Sequence, residues 1–92
     1  MRLKARVDKN QTEIVMALRA AGAKVLLLHQ KGQGCPDLLV GFRGRLLLME
    51  VKSKGGRLTT DELYFYDIWM EYMVVVYSID DALKAIGADY GT

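Results

Sequence analysis

Two apolar runs, Asp37–Phe42 and Arg45–Lys52, flank the dipeptide Arg43-Gly44, and this arrangement constrains the chain more than any other. A two-residue link between such runs reads as a β-hairpin. With that turn Phe42 pairs with Arg45, and cross-strand partners have position numbers that sum to 87. Val40 then faces Leu47, Leu38 faces Met49, and Asp37 faces Glu50. Opposed side chains stand about 4.5–5.5 Å apart, and like charges placed there are destabilising. A fold that keeps two carboxylates so close needs a cation. A divalent metal taking an oxygen from each meets the need, because hard cations bind oxygen at about 2.1–2.5 Å.

The strand period adds a third group. Side chains at i and i+2 share a face, which sets Glu50 and Lys52 about 6.5–7 Å apart on one side. Val51 points to the other face, and its backbone carbonyl is a further candidate ligand. An ammonium beside a metal-bound water can orient it, or offset charge on a phosphate in flight. Without a metal, the same residues reduce to a Lys52–Glu50 salt bridge and a turn residue, Asp37, after Pro36. Each piece alone favours that plainer account; the joint register favours the metal. A three-residue loop would shift the register by one and undo the facing pair.

The other elements follow with short gaps. Asp8 can cap a first helix, with Gln11 as its reciprocal partner. Ile14, Leu18 and Ala21 form an apolar stripe flanked by Val15 and Ala17, and Gly22 is a natural stop. Val25–Leu28 is continuously apolar and suits a buried strand. Thr59 or Thr60 caps a second helix running to about Tyr72, Met73–Tyr77 is a strand, and Ser78 caps a last helix, Asp80–Ile86, ended by Gly87. The order α-β-β-β-α-β-α predicts an α/β or α+β fold, a mixed sheet flanked by helices. All 92 residues read as one domain, with 1–7 as a basic arm.

Charge is unevenly spread. Residues 1–57 hold twelve of the thirteen Lys and Arg against four acids, a balance of +8, while 58–92 carry −6. A basic half suits a polyanionic partner, and a merely solvated surface is an equal alternative on charge alone. No stretch reaches the roughly 18 apolar residues that span a membrane. The basic start lacks the apolar core of a signal peptide. One cysteine and one histidine, Cys35 and His29, exclude both an intrachain disulfide and a zinc site built from Cys and His. These features predict a cytoplasmic protein. A chain this small has a modest core, so self-association would add useful burial.

Other residues offer secondary roles. Glu13 lies early in the first helix, flanking its stripe, where it can face the metal directly or through water, or simply favour the helix N-terminus. Favourable placement at the helix N-terminus is the better local reading. Lys31, Lys54 and Arg57 lie at the carboxylate end of the hairpin and are the better candidate phosphate contacts; Arg2, Lys4 and Arg6 can follow a backbone. Tyr64, Phe65, Ile68, Trp69 and Tyr72 recur at helical spacing, as core or as a dimer face. Gly32-Gln-Gly34 lacks the Gly-Lys-Ser/Thr ending of a phosphate loop.

Cys35-Pro36-Asp37 followed by Glu50-Val51-Lys52, thirteen positions from Asp to Glu, is similar to the PD-(D/E)xK nuclease signature. More specifically, the chain resembles the VRR-NUC domains in Glu13, Gly34-Cys-Pro-Asp37, Glu50-Val-Lys52, Gly55-Gly56 and Leu58-Thr59, over residues 8 to 86. The resemblance implies a restriction-endonuclease-like sheet. It implies Asp37, Glu50 and the Val51 carbonyl as metal ligands, Lys52 as the catalytic lysine and Glu13 as the helical acid. It further implies Mg²⁺- or Mn²⁺-dependent hydrolysis of DNA to 5′-phosphate and 3′-hydroxyl ends, by a phage-type or bacterial enzyme, and a homodimer acting on branched DNA such as Holliday junctions. One position departs: relatives carry Gln where this chain has Glu62, which Thr59-Thr-Asp-Glu62 explains locally as a capping box. That change supports the alternative of a non-catalytic nucleic-acid-binding module. A structural protein whose acid pair is only a salt-bridge network is the remaining alternative.

Overall fold

A computed structural model describes residues 9–28 and 32–88. The elements are α1 (Lys9–Ala20), β1 (Lys24–Leu27), β2 (Leu38–Phe42), β3 (Arg45–Val51), α2 (Thr60–Trp69), a 3₁₀ turn (Met70–Tyr72), β4 (Met73–Val76) and α3 (Ile79–Ile86). This is the expected α+β order. Asp8, the basic arm, His29 and Lys31 lie outside the described residues.

The hairpin organises the sheet. Arg43 and Gly44 take φ of 51° and 80°, so both central residues of the turn are left-handed. That backbone matches the twist of the flanking strands and fixes the register. Leu38 pairs with Met49, Val40 with Leu47 and Phe42 with Arg45, the alignment predicted from sequence. The Arg43 guanidinium lies 4.8 Å from the Phe42 ring centre, where a cation stacks favourably on an aromatic face.

The strand order is β1-β2-β3-β4. The first two pairings are antiparallel and β3–β4 is parallel. A parallel pair needs a long crossover, which α2 supplies. Across the sheet, Leu27, Leu38, Met49 and Val74 form one row, and Leu26, Leu39, Leu48 and Met73 the adjacent row on the opposite face. The first row joins the core, which Ile14, Val15 and Leu18 of α1 and Ala82 and Ile86 of α3 complete. Ala21, expected in the stripe of α1, is exposed because the helix ends at Ala20.

The opposite face is only partly covered. No residue of α2 is fully buried, so its aromatic residues are not core. Tyr64 is 74% exposed, Ile68 65% and Leu46 of β3 70%. The helix keeps its start because Thr59 and Glu62 exchange hydrogen bonds in a full capping box. Ser78 caps α3 and Gly87 ends it at φ 79°, both as read from sequence.

The loop before β2 packs tightly on the first turn of α2. Gly34 has φ 80°, and a Cβ there would run into the Asp61 carbonyl. Gly34→Ala adds left-handed strain to a backbone collision, and is expected to destabilise the fold by on the order of 3 kcal/mol. Urea unfolding of the two proteins would read this as a lower midpoint at unchanged slope.

Candidate active site

Three carboxylates and one ammonium converge where β2 begins and β3 ends. Asp37 precedes β2, and its carbonyl accepts a hydrogen bond from Leu28 N–H at 2.8 Å. Its carboxylate Oδ2 accepts from Val51 N–H at 2.8 Å, which ties the start of one strand to the end of the next. Glu50, beside Asp37 in the register, is only 3% exposed. Lys52 follows β3, and its N–H continues the parallel ladder to Val76 O at 3.0 Å. Asn10 of α1 donates through Nδ2 to the Lys52 carbonyl at 3.0 Å and to the Tyr77 carbonyl at 3.2 Å, holding both strand ends.

The ammonium sits between two acids. Lys52 Nζ is 3.6 Å from Glu50 Oε2 and 2.7 Å from Glu62 Oε1. The same Glu62 oxygen accepts from Thr59 N–H at 2.8 Å. Glu62 therefore caps α2 and grips Lys52 together. The cap is legible in Thr59-Thr-Asp-Glu62; the grip on Lys52 is not. The signal was the N3 position of a capping box, which aims a carboxylate at a known place. Nothing in the sequence marked Asn10.

Glu50 carries the electrostatic cost. Burial first, then the charges of Asp37 and Glu62, push its pKa up to about 8; Lys52 offsets part of this, and a hydrogen bond with Glu62 adds to it. Burial disfavours the charged form of Lys52, yet its bonds and charge interactions with Glu62 and Glu50 outweigh that and raise its pKa. Burial likewise opposes ionised Glu62, but Lys52 and Thr59 N–H outweigh it and lower its pKa.

A pH dependence follows. Between the ordinary 4.5 and about 8, folded Glu50 holds a proton that the unfolded chain has released. Stability therefore falls as pH rises through that window, by up to ~1.4 kcal/mol per unit. Glu62 has the opposite sign: its contribution is present above pH 4.5 and lost as pH falls through its lowered value. In chelator, urea unfolding is expected to show greater stability at pH 5 than at pH 8, with the difference reduced by Mn²⁺.

The site fits a hard cation. Glu50 Oε1 is buried without a hydrogen-bond partner. A buried, unpaired carboxylate oxygen is costly unless something compensates it. Asp37, Glu50 and the Val51 carbonyl are oxygen donors of the kind Mg²⁺ and Mn²⁺ accept, with water completing the shell. Glu13 is exposed on α1, three residues beyond Asn10. Among the described residues no group of three or more Asp, Glu, His or Cys side chains stands close enough to hold a metal. The structure does not bring Glu13 into one group with Asp37 and Glu50. Lys54 and Arg57 are exposed in the loop that leaves the site after Lys52.

Among the described residues, no helix is long and apolar enough to cross a membrane. No family sequence model and no curated protein matches the chain. A solved structure described as a VRR_NUC domain is similar in fold, with a TM-score of 0.71 and 26% identity, covering 89% of this chain and 95% of that one.

Proposed function

We propose that this chain, a domain of the VRR-NUC fold, is a metal-dependent endonuclease that hydrolyses DNA phosphodiester bonds and prefers branched DNA such as Holliday junctions. The observation that carries this reading is Glu50: a buried carboxylate with an unpartnered oxygen, held beside Asp37 and within reach of an ammonium. A fold gains nothing in stability from that arrangement. It gains a place for a cation at a reacting phosphate.

Asp37, Glu50 and the Val51 carbonyl would hold Mg²⁺ or Mn²⁺, with Glu13 acting through water. The bound ion supplies Lewis acidity and lowers the pKa of water. Lys52 brings an ammonium to the same face of the strand, where it orients the attacking water and offsets charge on the phosphate. Lys31, Lys54 and Arg57 take neighbouring phosphates, so DNA affinity falls with salt. Incubating end-labelled DNA with Mn²⁺ or with chelator tests the reading. Metal-dependent cuts with 5′-phosphate ends are expected, and intact DNA under both conditions would refute it.

A competing reading, a nucleic-acid-binding module without catalysis, draws on the 2.7 Å Lys52–Glu62 pair, which commits the lysine to a structural partner. It predicts salt-sensitive binding with no cutting.

The working unit is a homodimer formed through the half-covered sheet face. A groove of about 370 Å³ runs between Leu39, Leu46 and Leu48 of the sheet and Phe65, Trp69 and Tyr72 of the α2 segment. Phe65 stacks on Trp69 at 5.7 Å and Trp69 meets Tyr72 edge-on at 6.3 Å, giving a pre-ordered aromatic surface. Contiguous apolar surface of this kind marks an interface. Two-fold pairing would set two sites against a two-fold branched substrate. Leu46→Glu is expected to raise the dimer dissociation constant by roughly tenfold or more, read by sedimentation equilibrium.

A further inference from the structure

Lys52 has two carboxylates to choose between, and the structure shows which holds it. Glu62 Oε1 is 2.7 Å from the ammonium and Glu50 Oε2 is 3.6 Å. Glu62 does not have to be ordered for this purpose, because its bond to Thr59 N–H already fixes it as the cap of α2. Glu50, by contrast, keeps one oxygen without any partner. Were Glu62 uncharged, Glu50 Oε2 at 3.6 Å would be the other carboxylate oxygen already beside the ammonium, and the flexible lysine would close on it and occupy the oxygen a cation must use.

We infer that Glu62 is a positioning residue that draws the Lys52 ammonium away from Glu50, leaving the Glu50 carboxylate open to the metal while keeping the lysine at the edge of the site. The inference rests on the metal-dependent reading above. It gives the acid at position 62 a use beyond the helix cap, and it explains how one short strand end serves both a cation and an ammonium. The separation is electrostatic: a carboxylate holds an ammonium more strongly than a neutral amide does.

Glu62→Gln isolates this role. Glutamine is an accepted partner in a capping box, so the helix start survives while the charge is lost. Mn²⁺ is titrated calorimetrically, without DNA, into the wild type, Glu62→Gln, Lys52→Met and the double variant. Glu62→Gln is expected to weaken Mn²⁺ binding by about tenfold, as loss of an outer partner of a metal ligand does, with a small fall in the urea midpoint from the lost ion pair and an unchanged slope. In the Lys52→Met background the same change is expected to matter less than about twofold, since no ammonium remains to be drawn away. In metal-free protein, the Lys52 side-chain amine signal in nitrogen-15 NMR should shift in Glu62→Gln and stay in place in Thr59→Ala, which keeps the backbone bond to Glu62.

An unchanged Mn²⁺ affinity in Glu62→Gln overturns the proposal. So does an equal loss with and without Lys52, which would reduce Glu62 to a nearby negative charge. Failure of the underlying reading looks different: the wild type itself would bind no Mn²⁺.

Discussion

Glu50→Gln is expected to make the metal-free protein more stable while removing most of the proposed nuclease activity. At pH 7 folding requires Glu50 to take up a proton that the unfolded chain has released, because burial, Asp37 and Glu62 together raise its pKa to about 8. A glutamine of nearly the same shape carries no such cost. At pH 7 in chelator the variant is expected to gain about 2 kcal/mol, and the fall in stability between pH 5 and 8 should flatten. With Mn²⁺ the order reverses, because only the wild type gains binding energy on folding. DNA cleavage should drop by roughly a thousandfold, the upper range for removing one preorganised electrostatic group. Urea unfolding with and without Mn²⁺, followed by a cleavage assay, checks all three. Loss of stability in chelator would show that Glu50 is an ordinary buried structural acid.

Lys52→Ala separates binding from chemistry in the opposite way. The ammonium stands beside the carboxylate that would hold the cation, 3.6 Å from Glu50 Oε2, and competes with it. Removing it is expected to leave Mn²⁺ affinity equal or tighter while the cleavage rate falls by about 10²–10³-fold, the cost of one lost charge-stabilising donor. If the lysine acts where charge develops, the effect should appear in kcat more than in KM. Equal loss of metal binding and activity would make Lys52 a structural support of the metal site.

Much of this site was legible in the sequence, for local reasons. The Arg43-Gly44 turn fixes two backbone angles, the turn fixes the register, and the register places Leu38 opposite Met49 with Asp37 next in line to Glu50. A two-residue periodicity then puts Lys52 on the face of Glu50. Both caps of α3 and the capping box of α2 are equally local, and the structure has them where the residues predict. Contacts made across the fold were not legible. Asn10 reaches Lys52 over 42 positions of chain, and no pattern in α1 distinguishes it from a surface amide. The approach of Gly34 to α2 depends on how a loop lies against a helix more than twenty residues on. The aromatic residues of α2 have helical spacing, but spacing does not say what covers a face, and this chain leaves that face half-open.

The most direct test of the central claim is cleavage of a labelled four-way DNA junction and a matched linear duplex. Each is incubated with Mg²⁺, Mn²⁺ or chelator, using the wild type and Lys52→Ala. The account predicts paired cuts near the junction that require metal, with the duplex cut far more slowly and Lys52→Ala nearly inactive on both. Tight binding of the junction without cutting under either metal would contradict it, and would leave a DNA-binding domain whose acid pair does no chemistry.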